Sequence, residues 1–127
     1  MEEILTQSHT IAVVGASSND EKAAHRIPLA LQGMGYRIIP VNPHAETLFG
    51  EVVHRSLRTI EEPIDIVDVF RPSDQTPDVA RQAVAVGARA VWLQLGIASD
   101  EARQIAESAG LDFIENHCLM VEAARFR

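Results

Sequence analysis

The side chains best suited to chemistry in this chain stand where apolar runs end. Ile11-Ala12-Val13-Val14 breaks into Gly15-Ala16-Ser17-Ser18, and a helical pattern opens near His25 to Ile27. A strand that turns through small residues into a helix aims backbone N–H groups at whatever lies above it, which suits a phosphate. Lys22 and Arg26 follow this turn, and Arg71 closes a later run. Ammonium and guanidinium groups in those places can meet phosphate oxygens. A second run ends in Val41-Asn42-Pro43-His44, a turn fixed by proline, and a third in Val69-Phe70-Arg71. A flat ring and prolines can flank a base while the cations hold its phosphates. The set predicts a nucleotide-containing ligand rather than a reaction centre.

Other chemistries are poorly provided for. His9, His25, His44, His54 and His117 show no metal-ligand spacing, so no metal site is assigned. No ordering of Ser, His and Asp singles out a triad, and no catalytic residue is assigned either. Cys118 alone has intrinsic nucleophilic chemistry, and its simplest role is that of a buried small hydrophobe.

The elements that must position these residues alternate. Strand candidates are Ile11 to Val14, Tyr36 to Ile39, Ile64 to Phe70, Ala90 to Leu93, and Leu111 to Ile114. Most are nearly continuous in apolar content, as strands covered on both faces should be. Thr76-Pro77-Asp78 reads as an N-cap, a proline at the first helical position and an acid in the first turn, with Gly87 as the stop. Ser99-Asp100-Glu101 opens the next helix and Gly110 closes it. Pro28 falls early in the first helix, so that helix is expected to start within a turn of it. The fold class predicted is α/β, a Rossmann-like doubly wound parallel sheet in three layers. Glu51 to Val53 is read as a short third strand and Leu57 to Ile60 as a helical turn, which gives strand order 3-2-1-4-5-6. Without that short strand the order is five-stranded and flavodoxin-like.

Composition bounds the rest. The 127 residues suit one domain over 1–127, able to bury roughly two thirds of its unfolded surface. A net charge of −7 argues against a sequence-independent grip on nucleic acid, which needs a basic stripe. No apolar run reaches the length of a membrane span. The acidic start Met1-Glu2-Glu3 and a lone cysteine point to the cytoplasm.

The nucleotide is narrowed by what the loops lack. Gly15 is the single glycine of its turn, and no carboxylate stands in Asn42-Pro43-His44, so the standard NAD(P) mode is disfavoured. No Gly-Lys-Ser/Thr follows Gly15, which removes a Walker loop.

Five segments then fall in a familiar order: Val13-Val14-Gly15-Ala16-Ser17, Val41-Asn42-Pro43, Val67-Asp68-Val69-Phe70-Arg71, Val91-Trp92-Leu93-Gln94-Leu95-Gly96 and His117-Cys118-Leu119-Met120. Together they resemble the small stand-alone CoA-binding proteins of prokaryotes, related to the amino-terminal Rossmann domain of the succinyl-CoA synthetase alpha subunit. The resemblance implies bound coenzyme A or acyl-CoA. Gly15, Ala16, Ser17 and Ser18 would cradle its pyrophosphate, and Val41, Asn42 and Pro43 would line the adenosine. Val69, Phe70 and Arg71 would flank the nucleotide, and Gln94 to Gly96 would border the pantetheine. His44 replaces a lysine common in relatives, and His117 stands where many have arginine. The implied role is that of a carrier, sensor or accessory module without catalysis, with room for a protein partner. The alternatives are a subunit-like part of an acyl-CoA synthetase or transferase, or an NAD(P)-binding Rossmann protein. Cys118 would then be the residue able to form a mixed disulfide with the CoA thiol.

Overall fold

Along each β-branched run the side chains alternate between two buried faces. Ile11, Val13, Ile66 and Trp92 point to one core, and Ala12, Val67, Val69 and Val91 to another. A computed structural model describes residues 1–126. In chain order it contains α1 (Glu2–Gln7), β1 (Thr10–Val14), α2 (Ala23–Gly33), β2 (Arg37–Val41), β3 (Thr47–Leu48) and β4 (Glu51–Val52). A 3-10 turn (Leu57–Thr59), β5 (Ile66–Val69), a second 3-10 turn (Ser73–Gln75) and α3 (Thr76–Ala85) follow. The chain continues through β6 (Ala90–Leu93), α4 (Asp100–Ser108), β7 (Asp112–Ile114) and α5 (Leu119–Ala124).

Five strands form a parallel sheet in the order β2-β1-β5-β6-β7. Leu5 of α1, Leu31 of α2 and Leu119 of α5 fill the core on one face. Val79 and Ala83 of α3 and Ala102 and Ala106 of α4 fill the other. This is the three-layer Rossmann-like α/β arrangement. Winding reverses between β1 and β5, so the crevice of a doubly wound sheet opens above their carboxyl ends.

The short third strand needs correction. Glu51–Val52 does not join the main sheet; it pairs antiparallel with Thr47–Leu48. The two residues between them, Phe49 and Gly50, have φ of 58° and 76°. Two left-handed residues in succession form the tight turn that matches strand twist, so Glu51–Val52 turns back on Thr47–Leu48. Among the described residues a single parallel bridge from Val41 to His54 extends the sheet beyond β2. The sheet thus has the five-stranded order weighed as the alternative, with the hairpin lying outside β2.

Two helix starts also differ by a few residues. α2 begins at Ala23, which leaves Pro28 inside it rather than in its first turn. A proline there leaves the carbonyl four residues back without its helical donor. That carbonyl, Ala24 O, instead accepts the Ser17 N–H at 3.1 Å. The helix therefore tolerates its proline by tethering the loop after β1. At α3 the residue expected as N-cap, Thr76, is already helical and buried, and its hydroxyl donates to Ser73 O at 2.7 Å. α4 starts as expected, with Ser99 Oγ accepting the Ala102 N–H at 3.1 Å.

Candidate ligand cleft at the switch point

Gly15 sets the geometry of the crevice. Its φ is +88°, a conformation costly for any residue with a Cβ, and an added Cβ would lie 2.7 Å from Phe70 O. Glycine therefore lets the loops after β1 and β5 touch. Asn42 ties in the loop after β2. Its side-chain carbonyl accepts the His44 and Ala45 N–H groups at 2.7 and 2.8 Å, while its amide donates to Ala16 O at 2.7 Å. Arg55 braces the same turn by donating to the carbonyls of Asn42, His44 and Ala45.

A cleft of about 360 Å³ opens among these loops. Val14, Gly15, Val41, Asn42 and Pro43 form its floor and one wall. Arg55 and Ser56 line it on the hairpin side, and Arg71 lines it beside Gln75, to which it is hydrogen-bonded. Gln75, Asp78, Val79 and Gln82 of the α3 segment make the opposite wall. Among the described residues neither Arg55 nor Arg71 belongs to an ion pair. Arg71 is oriented only by its Nε donating to Gln75 Oε1 at 3.0 Å. Two guanidiniums and one carboxylate, Asp78, line the concavity, which leaves it a net positive charge in a chain of net charge −7.

Of the residues picked out from sequence, Gly15, Val41, Asn42, Pro43 and Arg71 line this cleft. Ala16 is buried just behind it, and Ser17 and Ser18 lie along the loop toward α2. The Gly15 N–H donates to Val41 O and the Ser17 N–H to Ala24 O, both at 3.1 Å, so these two amides are engaged within the chain. Lys22 and Arg26 are exposed at the start of α2, where Arg26 donates to Glu21 O. His44 is exposed beyond the Asn-Pro turn. Val69 is fully buried, and Phe70 packs against the core under α2 and α5. Gly96 is exposed, its N–H donating to Asn116 Oδ1 at 2.7 Å. Sequence reading missed Arg55, Ser56, Gln75, Asp78, Val79 and Gln82. A signal was present: positions 75, 78, 79 and 82 repeat at helical spacing, and three of these four residues are polar.

On the other face of the sheet a second polar group is hidden. Asp68 is fully buried on β5, and Gln94 Nε2 donates to its Oδ1 at 2.6 Å. Among the described residues Asp68 Oδ2 and Gln94 Oε1 have no hydrogen-bond partner. Burial pushes the Asp68 carboxyl up to about 7, opposed only by the Gln94 hydrogen bond. Gln94 is thus committed to the core. Cys118 is half-buried against the core at the start of α5, as a small hydrophobe would be. Among the described residues no cluster of His, Cys, Asp and Glu could hold a metal, and no helix is long and apolar enough to cross a membrane.

Fold and cleft define a class: a Rossmann-like α/β domain with a polar crevice, lined by Arg55, Arg71 and Asp78, at its switch point. The chain belongs to the CoA-binding family, matching the family model described as "CoA binding domain" over residues 9–124. It is 40% identical over 124 residues to the uncharacterised protein YneT of Bacillus subtilis, a match covering 98% of this chain and 92% of that one. A solved structure of a Thermus thermophilus protein superposes with a TM-score of 0.92 at 41% identity, covering 98% of this chain and 94% of the other. Kinship reaches an ADP-forming acetate–CoA ligase of Methanocaldococcus jannaschii, 25% identical over 118 residues, where the match covers 87% of this chain and 17% of the ligase.

Proposed function

We propose that this chain binds coenzyme A or acyl-CoA in the cleft at the switch point, acting as one domain that carries, senses or presents the ligand without catalysis of its own. The observation that carries this reading is the pair of guanidiniums, Arg55 and Arg71, that line the cleft without any carboxylate partner. The Gly15 and Ser17 amides are already engaged, and the phosphates are taken by those N–H groups of Arg71 and Arg55 that are not bonded to Gln75 or to the carbonyls of the Asn42 turn. Val41, Pro43 and Val79 offer apolar surface to the base. Membership of the CoA-binding family supports the choice of ligand.

Calorimetric titration and thermal unfolding with CoA, acetyl-CoA, NAD, NADP and ATP test the reading. CoA at a hundredfold its dissociation constant stabilises the fold by about 2.7 kcal/mol. Stabilisation by NAD with none by CoA would return the chain to the dinucleotide-binding alternative. The match to part of an acetate–CoA ligase favours a second reading, in which this chain acts as the CoA-binding part of a two-chain acyl-CoA synthetase. Copurification with an ATP-binding partner, and CoA-thioester formation by the pair, would support that reading.

A further inference from the structure

We propose that Asp68 is held as a neutral carboxylic acid whose Oδ2 proton is donated to Gln94 Oε1, and that this clasp positions the Arg71 loop at the cleft. The bond already present runs the other way, from Gln94 Nε2 to Asp68 Oδ1 at 2.6 Å, and both residues are buried. The two oxygens left without a partner, Asp68 Oδ2 and Gln94 Oε1, belong to the same two planar groups. A carboxylic acid facing a primary amide closes a ring of two hydrogen bonds, one N–H to O and one O–H to O. One proton therefore satisfies both oxygens. An ionised Asp68 leaves both unpartnered and adds a buried charge, and among the described residues no cation pairs with it.

No charge on this face competes for the proton. The titratable groups that are not exposed on the elements packed over it are His25 of α2, Cys118 and Glu122 at α5, and Tyr36 ahead of β2. Strands β1 and β6 carry none, and Glu2 and Glu3 of α1 are exposed. Burial raises the Asp68 carboxyl to about 7, and only the Gln94 bond opposes it. Losing the proton charges the core and sets Oδ2 against Oε1, acceptor against acceptor. The clasp thus holds below about pH 7 and opens above it. It lies three residues before Arg71. The Gln94 N–H donates to Val69 O at 3.3 Å and the Phe70 N–H to Val14 O at 2.9 Å, so parting the ends of β5 and β6 displaces the loop that carries Arg71.

Carboxyl NMR of labelled aspartate and side-chain amide NMR of labelled glutamine, from about pH 5 to about pH 9, test the clasp in the full chain. The expected result is an Asp68 signal in the acid position at the low end, with the Gln94 amide moving at the same midpoint. Calorimetry with CoA tests the positioning, an arm that rests on the cleft being the CoA site. Affinity falls by about tenfold between those limits, the scale of one linked proton, and Asp68→Asn, which keeps the ring with an N–H in place of the O–H, loses that dependence. An Asp68 that is ionised throughout, a Gln94 amide unmoved as Asp68 titrates, or the same pH profile of affinity in parent and variant overturns the proposal. Coupled titration in a chain that does not bind CoA removes the CoA reading and leaves the clasp. CoA binding with Asp68 ionised throughout does the reverse.

Discussion

At the residue scale, the proposed function rests on cations without carboxylate partners. Among the described residues five arginines pair with carboxylates, as Arg37 does with Glu51 and Glu62 and Arg103 with Glu115. Among the described residues Arg71 has only a neutral partner, Gln75, and Arg55 only carbonyls. Arg71→Ala should weaken CoA binding by about tenfold, the scale of one charge-assisted hydrogen bond less the cost of ordering a flexible ligand. Calorimetry checks this, and unchanged affinity would make Arg71 structural. Arg71 was legible in sequence because it follows a β-branched run and an aromatic residue. Arg55 was not, since nothing in its neighbours shows that a hairpin folds it back under Asn42.

Among the elements, the loops after β1, β2 and β5 are held together by contacts that small residues permit. Gly15→Ala must place a Cβ at positive φ and within 2.7 Å of Phe70 O. The two penalties together cost about 2 kcal/mol or more. Thermal unfolding should shift down by several degrees, and CoA affinity should fall as the Arg71 loop is pushed away. A variant with wild-type unfolding and affinity would show that the loops need no close approach. The strand-to-turn pattern made the role of Gly15 legible. The hairpin defied the reading of Glu51 to Val53 because it depends on Phe49 taking a left-handed conformation, which aromatic residues rarely adopt. Phe49 is held there by neighbours distant in sequence: its carbonyl accepts from Gln32 at 2.8 Å, and its ring packs on His25.

For the whole molecule, the buried carboxyl of Asp68 ties stability to pH. Its carboxyl is raised from 3.8 to about 7, so the folded chain holds a proton that the unfolded chain releases. The stabilisation this provides is complete below the unfolded value and is lost as pH rises through about 7. Asp68→Asn should flatten the stability profile between those limits and unfold at higher temperature than the parent chain at pH 8. Denaturation at a series of pH values measures the difference, and parallel profiles would mean that Asp68 is not the group responsible. The sequence by itself determined the alternation of strand and helix, the two-sided burial of the sheet and the three loops that meet at its carboxyl edge. Those follow from local periodicity and from the rule that a doubly wound sheet opens where its winding reverses. Tertiary structure alone decided which side chains share the cleft, which amides stay occupied and where a carboxylate is buried without a cation. Each of these depends on distances between segments far apart in the chain, and no local pattern of residues records such a distance.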